Sequence, residues 1–168
     1  NATKVIGQAN FTSSTSATSQ AGMITPYGIT LSGSTTVFIS QGTPNRVTSY
    51  DVSSGFSNGL NANHVLGQTD FVSSLLGNSQ TGMNAPRGIV YDPTTKRLFV
   101  AQTTGDRISI YDLTNGITSD GMNAAYVIGQ QNFTTVTANS TQDGLSAPTG
   151  ILVDAPNNRL YVLETNNH

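Results

Sequence analysis

The chain of 168 residues contains no cysteine, which excludes disulfides, thiolate nucleophiles and cysteine-based metal sites. Charge is also scarce. Only 10% of residues are charged, and seven basic against nine acidic side chains give a formal net charge of −2. Nucleic-acid and anionic-membrane binders need a basic surplus, so neither class fits. No apolar run approaches the ~20 residues that a spanning helix requires, so no membrane insertion is expected. Two histidines occur, His64 and His168. Neither has a serine or aspartate that the sequence can place beside it, so a nucleophile–base arrangement finds no support. EF-hand loops, the HExxH motif and Gly-rich phosphate loops are missing too.

What fills the chain instead is serine, threonine, asparagine and glycine. Low charge with this polar content suits an extracellular or cell-surface protein. Four Asn-x-Ser/Thr sequons, at Asn1, Asn10, Asn132 and Asn139, would accept glycans in a glycosylating organism. The chain opens on Asn1 with neither methionine nor signal peptide, as expected of a processed or partial product.

The dominant feature is repetition. "VIGQ" at 5–8 returns as "VLGQ" at 65–68 and "VIGQ" at 127–130. Gly7, Gly67 and Gly129 are therefore 60 and 62 residues apart, and Pro26, Pro86 and Pro148 repeat the same two intervals. So do Gly28, Gly88 and Gly150. Equal spacing at separated landmarks marks tandem units, about two and two-thirds of them.

Each unit reads as four short strands. The first follows the proline ("GITLS", "GIVYD", "GILVD"), and the second is "TVFIS", "RLFVA" or "RLYVL". The third is "RVTSYD" or "RISIYD", and the fourth "HVLGQ" or "YVIGQ". These runs are β-branched and aromatic and are bounded by Gly, Pro, Asn and Asp. No stretch keeps helical spacing for three turns. The expected fold is all-β, with four antiparallel strands per unit forming propeller blades.

The pattern P-x-G-I-x-x-D, then R-L-(F/Y)-V-A, then N/D-R-(I/V)-x-x-Y-D resembles the NHL repeat of β-propellers, and "ETNNH" at the end matches its Asn-His signature. Units here exceed the usual blade of about 40–45 residues. The excess lies in long connectors after "GQ", which resemble bacterial and archaeal NHL-type proteins more than animal ones. The resemblance implies a ring of about six blades, of which this chain is a part. Residues 1–25 then hold the outer strand of a preceding blade, at 4–8, and a connector. Residues 26–85 and 86–147 each hold a blade and connector, and 148–168 the inner part of a third blade. Open blade edges invite self-assembly.

Most repeated residues read as architecture. Gly28, Gly88 and Gly150 start the innermost strand, where room is short. Met23, Met83 and Leu145 serve as apolar plugs between blades, and Tyr50 and Tyr111 mark the end of strand three. His64 falls at the start of the fourth strand near the rim, and His168 in a turn. Asp92 and Asp154 end the innermost strand, aligned with Ser32. Function is sought where copies differ. Between the fixed proline and glycine stand Tyr27, Arg87 and Thr149, at the expected mouth of a central channel. Arg87 is the one basic residue of these three and can read an anionic group. The long connectors form a second candidate surface.

The expected function is a non-enzymatic scaffold for protein or glycan contacts. The resemblance also admits a lyase- or lactonase-like propeller enzyme with calcium or zinc in the channel. The sequence itself identifies no catalytic residue, cofactor or metal ligand.

Overall fold

The computed structural model describes residues 1–167; His168, expected in a turn, lies outside them. Among the described residues ten strands form three antiparallel sheets. Blade 1 comprises β1 (Pro26–Ser32), β2 (Thr36–Gln41), β3 (Arg46–Asp51) and β4 (His64–Leu66), hydrogen-bonded in that order. Blade 2 repeats it with β5 (Pro86–Asp92), β6 (Arg97–Gln102), β7 (Arg107–Asp112) and β8 (Tyr126–Ile128). Blade 3 holds β9 (Pro148–Asp154) and β10 (Arg159–Glu164). The single helical element among the described residues is a 3-10 turn at Ala155–Asn157.

Turn chemistry sets the strand ends. Gly33, Lys96 and Asn158 take φ of 60°, 53° and 51° between the first two strands of their blades. Asn45 and Asp106 do the same between the second and third, at 51° and 49°. Their side chains act across blades. Asn45 Oδ1 accepts from Ala85 N at 2.9 Å, and Asp106 Oδ1 from Ala147 N at 2.8 Å, so each blade holds the start of the next. Ala85 and Ala147 are themselves left-handed, at φ 50° and 51°, immediately before their prolines. The tie thus steadies a backbone conformation that is costly for alanine.

Alternation along the strands gives each sheet two apolar faces, and the faces of neighbouring blades pack together. Phe38, Val47 and Leu66 of blade 1 meet Ile89, Leu98, Val100 and Tyr111 of blade 2, with Phe38 and Tyr91 stacked at 6.5 Å. Phe99, Ala101, Ile108 and Ile110 on the other face of blade 2 meet Ile151, Leu160 and Val162 of blade 3. Each aliphatic or aromatic side chain buried this way contributes about 1.5–3 kcal/mol. Met83 is fully buried in the first of these clusters and Leu145 lies in the second, so both fill the joints as their spacing predicts.

The same physics explains "GQ". Gly67 has φ 87°, and a Cβ there would lie 2.7 Å from both Asn45 O and Met83 Cγ, so only glycine fits. Gln68 then folds the connector back: Nε2 donates to Asn45 O and Leu75 O, and Oε1 accepts from Leu75 N. Gln130 repeats this with Asp106 O and Thr137.

Two buried arginines fasten the connectors. Arg46 donates to Phe71 O, Ser19 O, Gly22 O and Gln41 Oε1. Arg107 donates to Gly105 O, Phe133 O, Thr135 O and Asn78 Oδ1. Burial lowers both guanidinium pKa values. The charge is met by carbonyl dipoles, with no carboxylate in an ion pair to either group among the described residues.

Residues 4–8, expected as the outer strand of a preceding blade, have no strand beside them among the described residues. Val5 is held by Asn58 Oδ1 and Gly59 N, as Val65 is held by Asp120 Oδ1 and Gly121 N. Gly7 keeps the same φ of 87° as its counterparts. The connector geometry survives where the ladder does not.

Candidate functional site

The three varied residues between Pro and Gly share one local geometry. In blade 1 Pro26 pairs with Gln41 and Gly28 with Ser40, so Tyr27 sits in a bulge. Thr149 does likewise between Pro148 and Gly150, and in blade 2 the bulge takes in Arg87 and Gly88. A bulge turns a side chain out of the ladder's alternation, which is why this position varies while its flanks stay fixed. The fixed glycines allow the inner strands to touch. A Cβ on Gly28 would lie 2.5 Å from Arg87 O, and one on Gly88 2.6 Å from Thr149 O.

Two of the three predicted residues meet. The Arg87 guanidinium lies over the Tyr27 ring at 4.7 Å, joining blades 1 and 2. Tyr27 remains 55% exposed. Its ring lies against Gly42, whose Cβ would stand 2.5 Å from Tyr27 Cε2. The other copies carry Thr103 and Thr165 where blade 1 has Gly42. Glycine at 42 is therefore what admits the tyrosine. Thr149 stands apart and spends its hydroxyl on Leu163 O at 3.2 Å.

His64 opens β4, as its alignment predicts, but it has a partner that the sequence did not reveal. Its Nδ1 is 3.2 Å from Asp120 Oδ1, in the β7–β8 loop of blade 2. The same oxygen accepts from Val65 N. His64 borders a cavity of about 400 Å³ between the blades, lined by Ser32, Thr36, Phe38, Asp51 and Ile117 among others. Among the described residues no hydroxyl is hydrogen-bonded to the imidazole, so no nucleophile–base pair is formed.

Among the described residues no group of three or more His, Asp or Glu side chains comes together. Asp92 is instead a turn-builder. Burial by itself would raise its pKa, but hydrogen bonds from Thr95 and Thr94 outweigh it and hold the carboxyl below its ordinary value. Asp154 likewise accepts from Asn157.

The sequons carry a structural explanation of their own. Asn10 Oδ1 accepts from Thr12 and Ser13, and Asn132 Oδ1 from Thr134 and Thr135, closing the turn after "GQ". Asp70 does the same with Val72 and Ser73. Asn and Asp are interchangeable in such turns, so "N-F-T" follows from turn chemistry alone. Asn10, Asn132 and Asn139 are exposed.

A surface patch lies on the second connector. Val72, Leu75 and Leu76 are 72%, 77% and 59% exposed. The aligned residues are Thr12, Thr15 and Ser16 in the first connector and Thr134, Thr137 and Ala138 in the third. Aligning the connectors as closely as the strands would have exposed this contrast from sequence.

No protein-family model and no curated protein matches the chain. Among solved structures, Kuenenia stuttgartiensis hydrazine synthase is similar, with a TM-score of 0.54 and 17% identity over 86% of this chain and 30% of that one. The chain has a β-propeller fold. A streptogramin B lyase structure also matches, with a TM-score of 0.36 and 20% identity over 83% of this chain and 48% of the lyase. The chain thus spans less than half the length of either structure.

Proposed function

We propose that the chain is part of an NHL-type β-propeller, extracellular or on a cell surface, that acts as a non-enzymatic scaffold for contacts with other proteins or glycans. The observation that carries this reading is the aliphatic patch Val72, Leu75 and Leu76, exposed on one connector where the aligned residues of its sisters are Thr12, Thr15 and Ser16, and Thr134, Thr137 and Ala138. Water-facing leucines on a scaffold that demonstrably accepts threonine there call for a contact surface. Low charge and the abundance of serine, threonine and asparagine support the extracellular placement.

The sister connectors supply the test. The variant V72T/L75T/L76S uses residues already placed at those positions in this fold. Wild-type protein is expected to associate with itself or with a surface partner in sedimentation velocity, and the variant to lose that association with an unchanged melting temperature. Identical sedimentation of both, together with calcium or zinc retained in the purified protein and a metal-dependent elimination or lactone hydrolysis, would replace the scaffold with the enzyme.

A further inference from the structure

We infer that the Tyr27–Arg87 stack is a binding site for a carboxylate. Three independent features converge there. First, both residues occupy bulges, so their side chains leave the ladder at the start of the innermost strands. Second, the site is built by coordinated substitutions. Gly42 makes room for the Tyr27 ring, the ring carries the Arg87 guanidinium at 4.7 Å, and Ser40 Oγ, bound to Gly28 N, donates to Arg87 O. The third copy carries Thr149 and Thr165 at the corresponding positions and builds no stack. Third, the guanidinium lacks partners. Arg87 Nε is buried with no hydrogen bond, and among the described residues Arg87 makes no ion pair.

Among the described residues Arg159 is exposed and lies over no aromatic ring, and the other three arginines have their terminal nitrogens occupied or a carboxylate opposite. Arg46 shares a buried Nε without a hydrogen bond, but its terminal nitrogens donate to Phe71 O, Ser19 O, Gly22 O and Gln41 Oε1, and those of Arg107 to Phe133 O, Thr135 O and Asn78 Oδ1. Arg97 lies over Tyr126 at 4.9 Å, but across the ladder from Asp112, whose carboxyl it helps hold below its ordinary value. Arg87 alone combines a fixed orientation with no counter-charge. A guanidinium held over an aromatic ring, with its inner nitrogen buried and its terminal nitrogens without partners among the described residues, offers a planar two-donor edge. That edge matches a carboxylate, which accepts two parallel hydrogen bonds, better than a tetrahedral or spherical anion. The ring also restricts the arginine's rotamers before the ligand arrives, which lowers the ordering cost of binding.

The carboxylate can come from a sugar acid or from a peptide terminus, and the two are separated by probe. Nitrogen-15 NMR of the Arg87 Nε–H group would be followed while glucuronate, N-acetylglycine, sulfate and glucose are added in turn. A saturable shift with glucuronate or N-acetylglycine, absent with glucose and at least about tenfold weaker with sulfate, is the expected result, and the tighter of the two acids names the source. Binding by the variants, which lack the Nε–H group, is read from the backbone amide shifts of Tyr27 and Gly88; Arg87→Lys keeps the charge but loses the planar fork, and is expected to weaken binding about tenfold or more. Arg87→Thr installs the residue found at Thr149; it should fold, shown by an unchanged β-sheet spectrum, and bind neither acid. No saturable shift with either acid, equal response to sulfate, or undiminished affinity in Arg87→Lys would each overturn the assignment and leave the stack as a joint between blades. The site is separate from the connector patch, so its failure leaves the scaffold reading standing.

Discussion

Arg107→Met is the most informative perturbation of the fold. The methionine keeps much of the aliphatic bulk while removing four donated hydrogen bonds: to Gly105 O at 3.0 Å, Thr135 O at 2.8 Å, Asn78 Oδ1 at 3.3 Å, and Phe133 O. Acceptors left dry cost about 1–3 kcal/mol each. Two gains oppose this loss. Methionine carries no desolvation penalty of the kind that lowers the Arg107 pKa, and connector carbonyls near the surface regain water. A net loss of about 3 kcal/mol is expected, equivalent to roughly 6–12 °C in melting temperature for a chain of this size. Urea denaturation should show a lower midpoint at unchanged slope, and amide exchange should accelerate at 133–137, the segment the guanidinium holds. Arg107→Lys, which keeps a charge but only one donor centre, should fall between. A loss under about 1 kcal/mol would refute the reasoning, because it would mean that desolvation cancels the hydrogen bonds and that the connector holds itself.

The remaining predictions concern the inner strands and the buried tyrosines. Gly88→Ala forces a Cβ to 2.6 Å from Thr149 O, whereas Gly150→Ala meets only Leu163 at 3.4 Å. Thermal melts should show a loss of about 1–3 kcal/mol for the first and little change for the second. Tyr50 and Tyr111 are fully buried, their hydroxyls have no hydrogen-bond partner, and burial raises both pKa values. A raised folded-state pKa means that stability is intact below the unfolded value of about 10 and is lost as pH rises above it, by up to about 1.4 kcal/mol per pH unit for each tyrosine. Tyr111→Phe should therefore be nearly neutral at pH 7 and flatten the alkaline limb of a stability–pH curve. A steep limb that persists in the double Tyr→Phe variant would assign the effect to other groups.

Much of the fold was legible because its signals are local and triplicated. Third strands fall at Arg46–Asp51 and Arg107–Asp112, the segments read from "RVTSYD" and "RISIYD". The segment 4–8 shows where such local reading stops. "KVIGQ" has a strand's composition, but a strand exists only in a ladder, and pairing is not local. The stack of Arg87 on Tyr27 was half legible: the two residues stood out, while their contact depends on how adjacent blades meet. The partner of His64 was invisible, because Asp120 lies 56 positions away and reaches back across a blade joint. The role of Gly42 was also hidden, since its meaning depends on a ring contributed by another strand.

Those joints make a further claim about cooperativity. Every tie from Asn45 to Ala85, Asp106 to Ala147, or Asp120 to Val65 runs between neighbouring blades, and the apolar clusters do the same. A blade therefore depends on its neighbour for much of its stability, as in other stacked repeats. Asp106→Gly isolates one such tie, because glycine keeps the left-handed turn at φ 49° while the carboxylate is lost. Ala147 then holds its own φ of 51° without the bond to its N–H, and the start of blade 3 is freed. Amides of β9 and β10 should exchange faster by about tenfold, corresponding to about 1.4 kcal/mol, while those of β2 and β3 stay at wild-type rates. Asp106→Asn, which copies Asn45, should restore protection. If all three blades lose protection together in the glycine variant, the joints are not separable nearest-neighbour terms, and the chain behaves as one indivisible core.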